Sequence, residues 1–412
     1  MPEHYLPVRP SLDQLRIQAK ELLRSLNSAE PASVAMLYAH HPRPPKLPDL
    51  KLADAQLTLA RSYNVPSWRR LAVACRMTDA IWRDDARAVR DLISKHPKLL
   101  RQNARGTTAF CNWGAPLSYA ATVGRDDMVT MLREMGADGL QHAFGRACLR
   151  GNLETARMLY GMGARPEPGD VMGPCETFSA EGLALQLELG AELTDANGDR
   201  LAPLGMLLEG YARNPAGKHR CLQMMVEQGY AMPDTPAMAV HLGRIDLLES
   251  HLRRDPQLMT RTFTHREIYP LECGCHEDES LALHGTPLAG GTLLHLCVDF
   301  DEVEMGVWLL DHGCDVNVRA AVDSDGFGGH TALFGCVVSQ PYRVGREKDG
   351  AFGRLLLEHG ADTTVRASLR KRLRFVSDET LHEYRNVTPR QWGERFHDQD
   401  WVNPAVMALL TE

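Results

Sequence analysis

Residues that turn or stop a helix recur along this chain at a fixed interval of twelve. The pairs are Asp84 to His96, Gly124 to Gly136, Gly151 to Gly163, Gly217 to Gly229, Gly243 to Asp255 and Asp301 to Gly313. A Gly or Asp opens each interval, an apolar helical stretch fills it, and a Gly, His-Pro or Asp-Pro closes it. A single globular domain has no reason to hold such spacing over more than two hundred residues. A stack of supersecondary units does, because each unit buries its apolar face only against its neighbours. The spacing predicts a solenoid of paired helices.

The residues inside the intervals are more specific. Ala115-Pro116-Leu117-Ser118-Tyr119-Ala120-Ala121, Thr292-Leu293-Leu294-His295-Leu296-Cys297 and Thr331-Ala332-Leu333-Phe334-Gly335-Cys336 resemble the Thr-Pro-Leu-His-x-Ala opening of an ankyrin repeat. Met135-Gly136-Ala137-Asp138 and His359-Gly360-Ala361-Asp362 resemble its close. Small residues at Ala120, Ala147, Ala239, Cys297 and Cys336 fall at equivalent positions, where neighbouring helices crowd. The Gly after each outer helix is expected to cap it with a positive φ. The resemblance covers about residues 77–412 and is to bacterial ankyrin-repeat proteins with an N-terminal helical capping module. It implies an all-α ankyrin-repeat solenoid of about eight or nine repeats, some degenerate, with short β-hairpin fingers. It also implies that His295, at the signature position, bonds backbone between repeats and is structural.

Composition narrows the setting. Charged residues make up 24% and hydrophobic ones 44% of the 412, ordinary for a folded soluble chain. No run of about 18 uncharged apolar residues is present to span a bilayer, and Met1 to Pro10 lacks the apolar core of a secretion signal. The ten cysteines do not form a disulfide framework; Cys148, Cys297 and Cys336 sit at inner-helix core positions and Cys221 in an outer helix. A reduced, cytoplasmic protein is expected. Residues 1–76 carry eleven Lys/Arg against six Asp/Glu, while the whole chain is at −7.

Along the chain, residues 11–27 read as an amphipathic helix capped by Ser11, with Leu15, Ala19, Leu22 and Leu23 on one face. Helices follow at about 32–38, 52–63 and 67–76, so residues 1–76 form a basic helical cap and 77–412 the solenoid. Insertions at Tyr211–Ala216 and Pro341–Glu347 separate inner from outer helices, and the repeat around Phe178 to Leu189 is degenerate. Long finger insertions occupy 257–291, 317–330 and 363–387. Ordered loops of that length in a compact protein are usually functional. These lie on the same side of successive repeats, so they are expected to meet in one composite surface.

The chemistry-bearing residues concentrate in those fingers. Cys273, Cys275, His276 and His284 are the candidate metal ligands, but Cys-x-Cys is tighter than usual zinc spacing, and adjacent Cys275 and His276 rarely share an ion. Catalysis would need Cys275 as a thiolate with a base from His284, His295 or His330. No nucleophile elbow, phosphate loop or metalloprotease motif is present. Leu57 to Val65 resembles the start of a helix-turn-helix, but Pro66 and Arg70 break the pattern, and the acidic repeats oppose a broad nucleic-acid footprint. The basic run Arg366 to Arg374 is expected to pair with carboxylates such as Glu277, Asp278 and Glu279, anchored by Leu369, Leu373 and Phe375. Exposed aromatics at Phe110 and Trp113 are further possible anchors.

The function expected is a protein–protein interaction scaffold or adaptor with no cofactor and no catalytic residues. Its partner is another protein, not a membrane or nucleic acid, contacted by His265, Tyr269, His276, Glu277, Asp278, Phe327, His330, Arg370 and Arg372. Removing 266–283 is expected to abolish binding and spare helicity. The alternatives are a thiol or metal site in 265–284, and nucleic-acid binding through the basic cap.

Overall fold

The computed structural model describes residues 6–108, 112–341, 348–376 and 378–410, so Phe110 lies outside the described residues. The chain forms two compact units, Met1–Pro166 and Glu167–Glu412.

In the first unit, α1 (Leu12–Asn27) starts at Ser11, whose hydroxyl accepts the Gln14 N–H at 3.3 Å. Helices α2 (Pro31–His40), α3 (Leu52–Ser62) and α4 (Trp68–Trp82) follow. Leu15, Ala19, Leu59, Ala60, Val65 and Leu71 form their shared core, with Leu22 only half-buried at its edge. Helix α4 runs unbroken to Trp82, so the expected boundary at residue 76 falls inside it. Leu6 to Val8 is bound to the same unit: the Arg105 guanidinium donates to the Leu6 carbonyl, and the Tyr119 hydroxyl donates to the Val8 carbonyl at 3.0 Å. Three helix pairs are built on α4: α4 with α5 (Ala86–Lys95), α6 (Pro116–Thr122) with α7 (Asp126–Glu134), and α8 (Leu140–Arg150) with α9 (Leu153–Gly161).

The second unit continues the same construction. Its pairs are α10 (Met172–Thr177) with α11 (Ala180–Glu188), α12 (Ala202–Glu209) with α13 (Pro215–Glu227), and α14 (Pro236–His241) with α15 (Ile245–Arg254). After a short helix α16 (His265–Ile268) come α17 (Leu293–Phe300) with α18 (Val303–Asp311), and α19 (Ala332–Val337) with α20 (Ala351–Glu358). Strands β1 (Ala367–Arg372) and β2 (Leu381–Val387) precede the last pair, α21 (Pro389–Arg395) and α22 (Pro404–Leu409). One apolar core runs through these pairs, including Leu183, Leu222, Leu248, Leu294, Leu333 and Trp392. The fold is thus all-α, a solenoid of stacked helix pairs with hairpin fingers. No described helix is long and apolar enough to cross a membrane.

The twelve-residue interval has a direct backbone cause. Asp84, Gly124, Gly151, Gly243 and Asp301 have φ between 59° and 70°. Each turns the chain between the two helices of a pair. The next residue then donates back to the inner helix, as in Arg125 N–H to Ala120 O at 3.1 Å and Glu302 N–H to Cys297 O at 2.8 Å. The acceptors are Ala120, Ala147, Ala239 and Cys297, four of the small residues of the sequence pattern, and Ala80 at the equivalent place in the first pair. Two positions differ from expectation. Gly217 does not open an interval: it sits inside α13, because the insertion before it moves the helix start to Pro215. The degenerate fourth repeat is regular in backbone, with Phe178 (φ 54°) opening the interval that Gly190 closes. Its aromatic side chain hides the turn from a search for Gly and Asp.

Candidate functional site

The first finger, 257–291, is folded onto the stack. Thr264 and Glu267 form a capping box that starts α16, and Ile268, Tyr269, Cys273 and Cys275 are buried behind it. The loop backbone lies directly on α12. A Cβ at Gly205 would fall 2.2 Å from the Gly274 carbonyl oxygen, so neither chain has room to move inward.

Polar anchors complete the attachment. His241 Nε2 bonds the Ile268 carbonyl at 2.8 Å, and its Nδ1 lies 2.8 Å from Lys218 Nζ. Burial pushes His241 far below its ordinary pKa. The neutral ring therefore donates through Nε2 and accepts from Lys218 through Nδ1. Lys218 also lies 4.2 Å over the Phe300 ring, and burial lowers its pKa to about 7, against the opposing charge of Glu302. Behind them Arg213 meets Asp299 at 2.9 Å in a fully buried pair. Glu209 accepts the His276 backbone N–H at 2.7 Å and faces its Nδ1 at 2.6 Å.

These contacts correct part of the sequence reading. Tyr269 is packed against His241 and Phe300, so it holds the finger to the stack and presents no surface. His276 pairs with the buried Glu209, yet its side chain stays 61% exposed, outside the cleft. Deleting 266–283 would strip Ile268, Tyr269 and Cys273 from the core, so the deletion is expected to disturb folding as well as binding. Burial raises the Cys273 thiol to about 11 and the Cys275 thiol further, which leaves both protonated and unlike a nucleophilic thiolate. Among the described residues no three His, Cys, Asp or Glu side chains are placed to hold one metal ion. Cys273, Cys275, His276 and His284 are not gathered into one.

The second and third fingers are joined edge to edge. In β1–β2, Leu369 faces Tyr384 and Lys371 faces His382. Gly328 donates its N–H to the Ser368 carbonyl at 2.7 Å and also bridges to Val322. At φ 120°, with the Ala321 carbonyl oxygen 1.9 Å from where a Cβ would stand, Gly328 admits no side chain. Phe327 is buried between the guanidinium groups of Arg370 and Arg385, 4.8 and 3.7 Å from its ring. Arg370 bonds Asp323 at 2.8 Å and Asp325 at 2.9 Å, which corrects its expected pairing with the acids of the first finger. Glu277 instead pairs with Arg266. Leu369 and Leu373 anchor the segment as expected; Phe375, 63% exposed, does not.

The three fingers meet around a cleft of about 640 Å³. His265, Asp278, Phe327, His330, Arg370 and Arg372 line it; Tyr269, His276 and Glu277 do not. His330 is fully buried, its Nε2–H donating to the Pro287 carbonyl at 3.0 Å, and burial lowers its pKa to about 3. His295 spans Thr292 and the His330 carbonyl, the structural role expected of it. Trp113, in the first unit, is buried beside Tyr119 and under Arg146.

Among the lining residues that the sequence reading did not nominate as contacts are Val322, Leu381 and Lys371. Val322 and Leu381 are exposed aliphatic side chains on the rim, at 61% and 50%. Lys371 is a wall residue only 7% exposed. Its position was legible in principle, since Ala367, Leu369, Lys371 and Leu373 alternate as the inward face of a strand. A run of cations drew attention to Arg370 and Arg372 instead, the less buried residues that alternate with it along the strand.

Similarity to known proteins is local. The ankyrin-repeat family model matches residues 289–321, which hold the end of the first finger, α17 and α18. Among solved structures, the human ASB11 ankyrin repeat domain is similar, with 18% identity over 60% of this chain and 99% of that one, at a TM-score of 0.27. No curated protein matches the sequence.

Proposed function

We propose that this chain, which carries an ankyrin repeat at 289–321, is a protein-interaction scaffold that seats a partner segment in the cleft between its three fingers. The observation that carries the reading is the cleft itself. It is formed by loops rather than helices, its volume suits a few side chains, and its rim exposes Val322 and Leu381. Rigid repeats behind it hold the loops in place, so little ordering entropy opposes binding. In this reading helices α1–α3 cap the first repeats, supported by the bonds from Arg105 and Tyr119 to the leading segment. The nine described cysteines are free and buried, which accords with a reducing, cytoplasmic setting.

Display of random peptides on phage, selected against the immobilised full chain, tests the reading. Selected peptides should lose at least tenfold in affinity for a Val322→Asp, Leu381→Asp double variant whose melting temperature is unchanged. Failure to select any peptide, or equal binding by the double variant, would remove the cleft as the docking surface.

A further inference from the structure

Lys371 is a lysine in the position of a core residue. It lies between Leu369 and Leu373 on the inward face of β1, and its side chain is nine-tenths buried. Yet it has no ion-pair or hydrogen-bond partner among the described residues. Its two nearest influences of opposite sign are Asp299 and Glu279, and Asp299 is already bonded to Arg213. A buried ammonium without a partner is costly, and proteins rarely keep one. Around the same cleft, His284 and His330 are also buried, and each leaves Nδ1 without a hydrogen-bond partner. Three buried polar atoms of the cavity lining, Ser280 Oγ, His284 Nδ1 and His330 Nδ1, are thus left unsatisfied around the cleft that the unpartnered Lys371 also lines.

Resting on the scaffold reading above, we propose that the cleft recognises a carboxylate side chain of the partner segment, received by Lys371 with His284 beside it and flanked by aliphatic residues. A carboxylate supplies what these groups lack: acceptor oxygens for the ammonium and for an imidazole N–H. The charge count selects it over phosphate. Lys371 is the one buried cation at the cleft, Arg370 is spent on Asp323 and Asp325, the exposed Arg372 is offset by nearby Asp278, and Glu279 adds a further negative charge at the opening against a dianion. Both imidazoles are neutral, since burial lowers the pKa of His284 and of His330. Val322 and Leu381 then provide apolar contact on either side of the acid. The occupant is an acidic peptide with aliphatic neighbours.

The test uses the full chain and three eight-residue peptide libraries, identical except for a fixed central Glu, Gln or phosphoserine. The Glu library should be retained at least tenfold over the other two. Retention should vanish for Lys371→Met and survive in part for Lys371→Arg, with both variants checked for folding by circular dichroism. A second readout needs no mutation: retention by the wild-type chain should fall between pH 7 and 9.5 as Lys371 loses its proton. The groups facing Lys371 are Asp299, Glu279, His284, His382 and His397, none of which ordinarily titrates in that range. Equal retention of Glu and Gln libraries, unchanged in Lys371→Met, would overturn the carboxylate and leave the scaffold reading standing. Preference for phosphoserine would overturn it in favour of a phosphate. Retention of none of the three would take down the cleft as a peptide site altogether.

Discussion

Lys218 and Lys371 are both buried ammonium groups in the second unit, and their surroundings treat them in opposite ways. Lys218 has an imidazole nitrogen at 2.8 Å and an aromatic face at 4.2 Å, with the Arg213–Asp299 pair close behind. Lys371 has neither, and it lines an open cleft. A buried cation whose ligands are internal belongs to the architecture, here fastening the first finger to the helices through His241 and Ile268. One whose ligands are missing is destabilising unless something from outside completes it. The same distinction sorts the fingers. The inward side of 257–291 is saturated with bonds, and the side facing the cleft is not.

The largest expected effect comes from breaking the saturated region. Arg213→Met leaves Asp299 buried and unpaired, and it removes donors to the Gly210 and Leu283 carbonyls. Loss of about 3–5 kcal/mol in urea unfolding is expected, as for other buried pairs stripped of one partner. Replacing the two lysines then tests the comparison directly. Lys218→Met should destabilise by about 1–3 kcal/mol, because His241 loses its donor and Phe300 its cation. Lys371→Met should stabilise by a similar ~1–3 kcal/mol, because an unpaired charge is replaced by an apolar side chain between two leucines. Shifts of the same sign in both variants would break the distinction.

The smallest effect sharpens it. Burial lowers Lys371 to about 8, below the ordinary value near 10.5 of the unfolded chain. Between those values the unfolded state binds more protons, so the stability of the wild type rises with pH. The advantage of Lys371→Met, full at pH 7, should therefore shrink by roughly half or more by pH 10. A gap that stays constant in paired melts at the two pH values would mean that Lys371 carries no buried charge.

Much of the fold is legible in the residues because it rests on local chemistry. A turn with positive φ asks for Gly or Asp, and a crowded inner helix asks for Ala or Cys. Asp84, Gly124, Gly151, Gly243 and Asp301 answer in register with Ala80, Ala120, Ala147, Ala239 and Cys297. Phe178 breaks that legibility, since only its backbone shows the same turn. The candidate site was read less well. Its location among three long loops followed from loop length and spacing, and six of nine nominated residues line the cleft. Tyr269 was misjudged because a loop rich in polar and aromatic residues looks the same whether it faces water or is bound down.

The helix-pair stack is the part of this protein that its residue order specifies alone, because capping, periodicity and side-chain size act over a few positions. Which side of each finger is occupied is a matter of long-range neighbours. His241 meets Ile268 across 27 positions, Glu209 meets His276 across 67, and Arg213 meets Asp299 across 86. No local pattern records those meetings, nor the lack of one at Lys371. Only the packed chain reveals that one lysine has its ligands and the other does not.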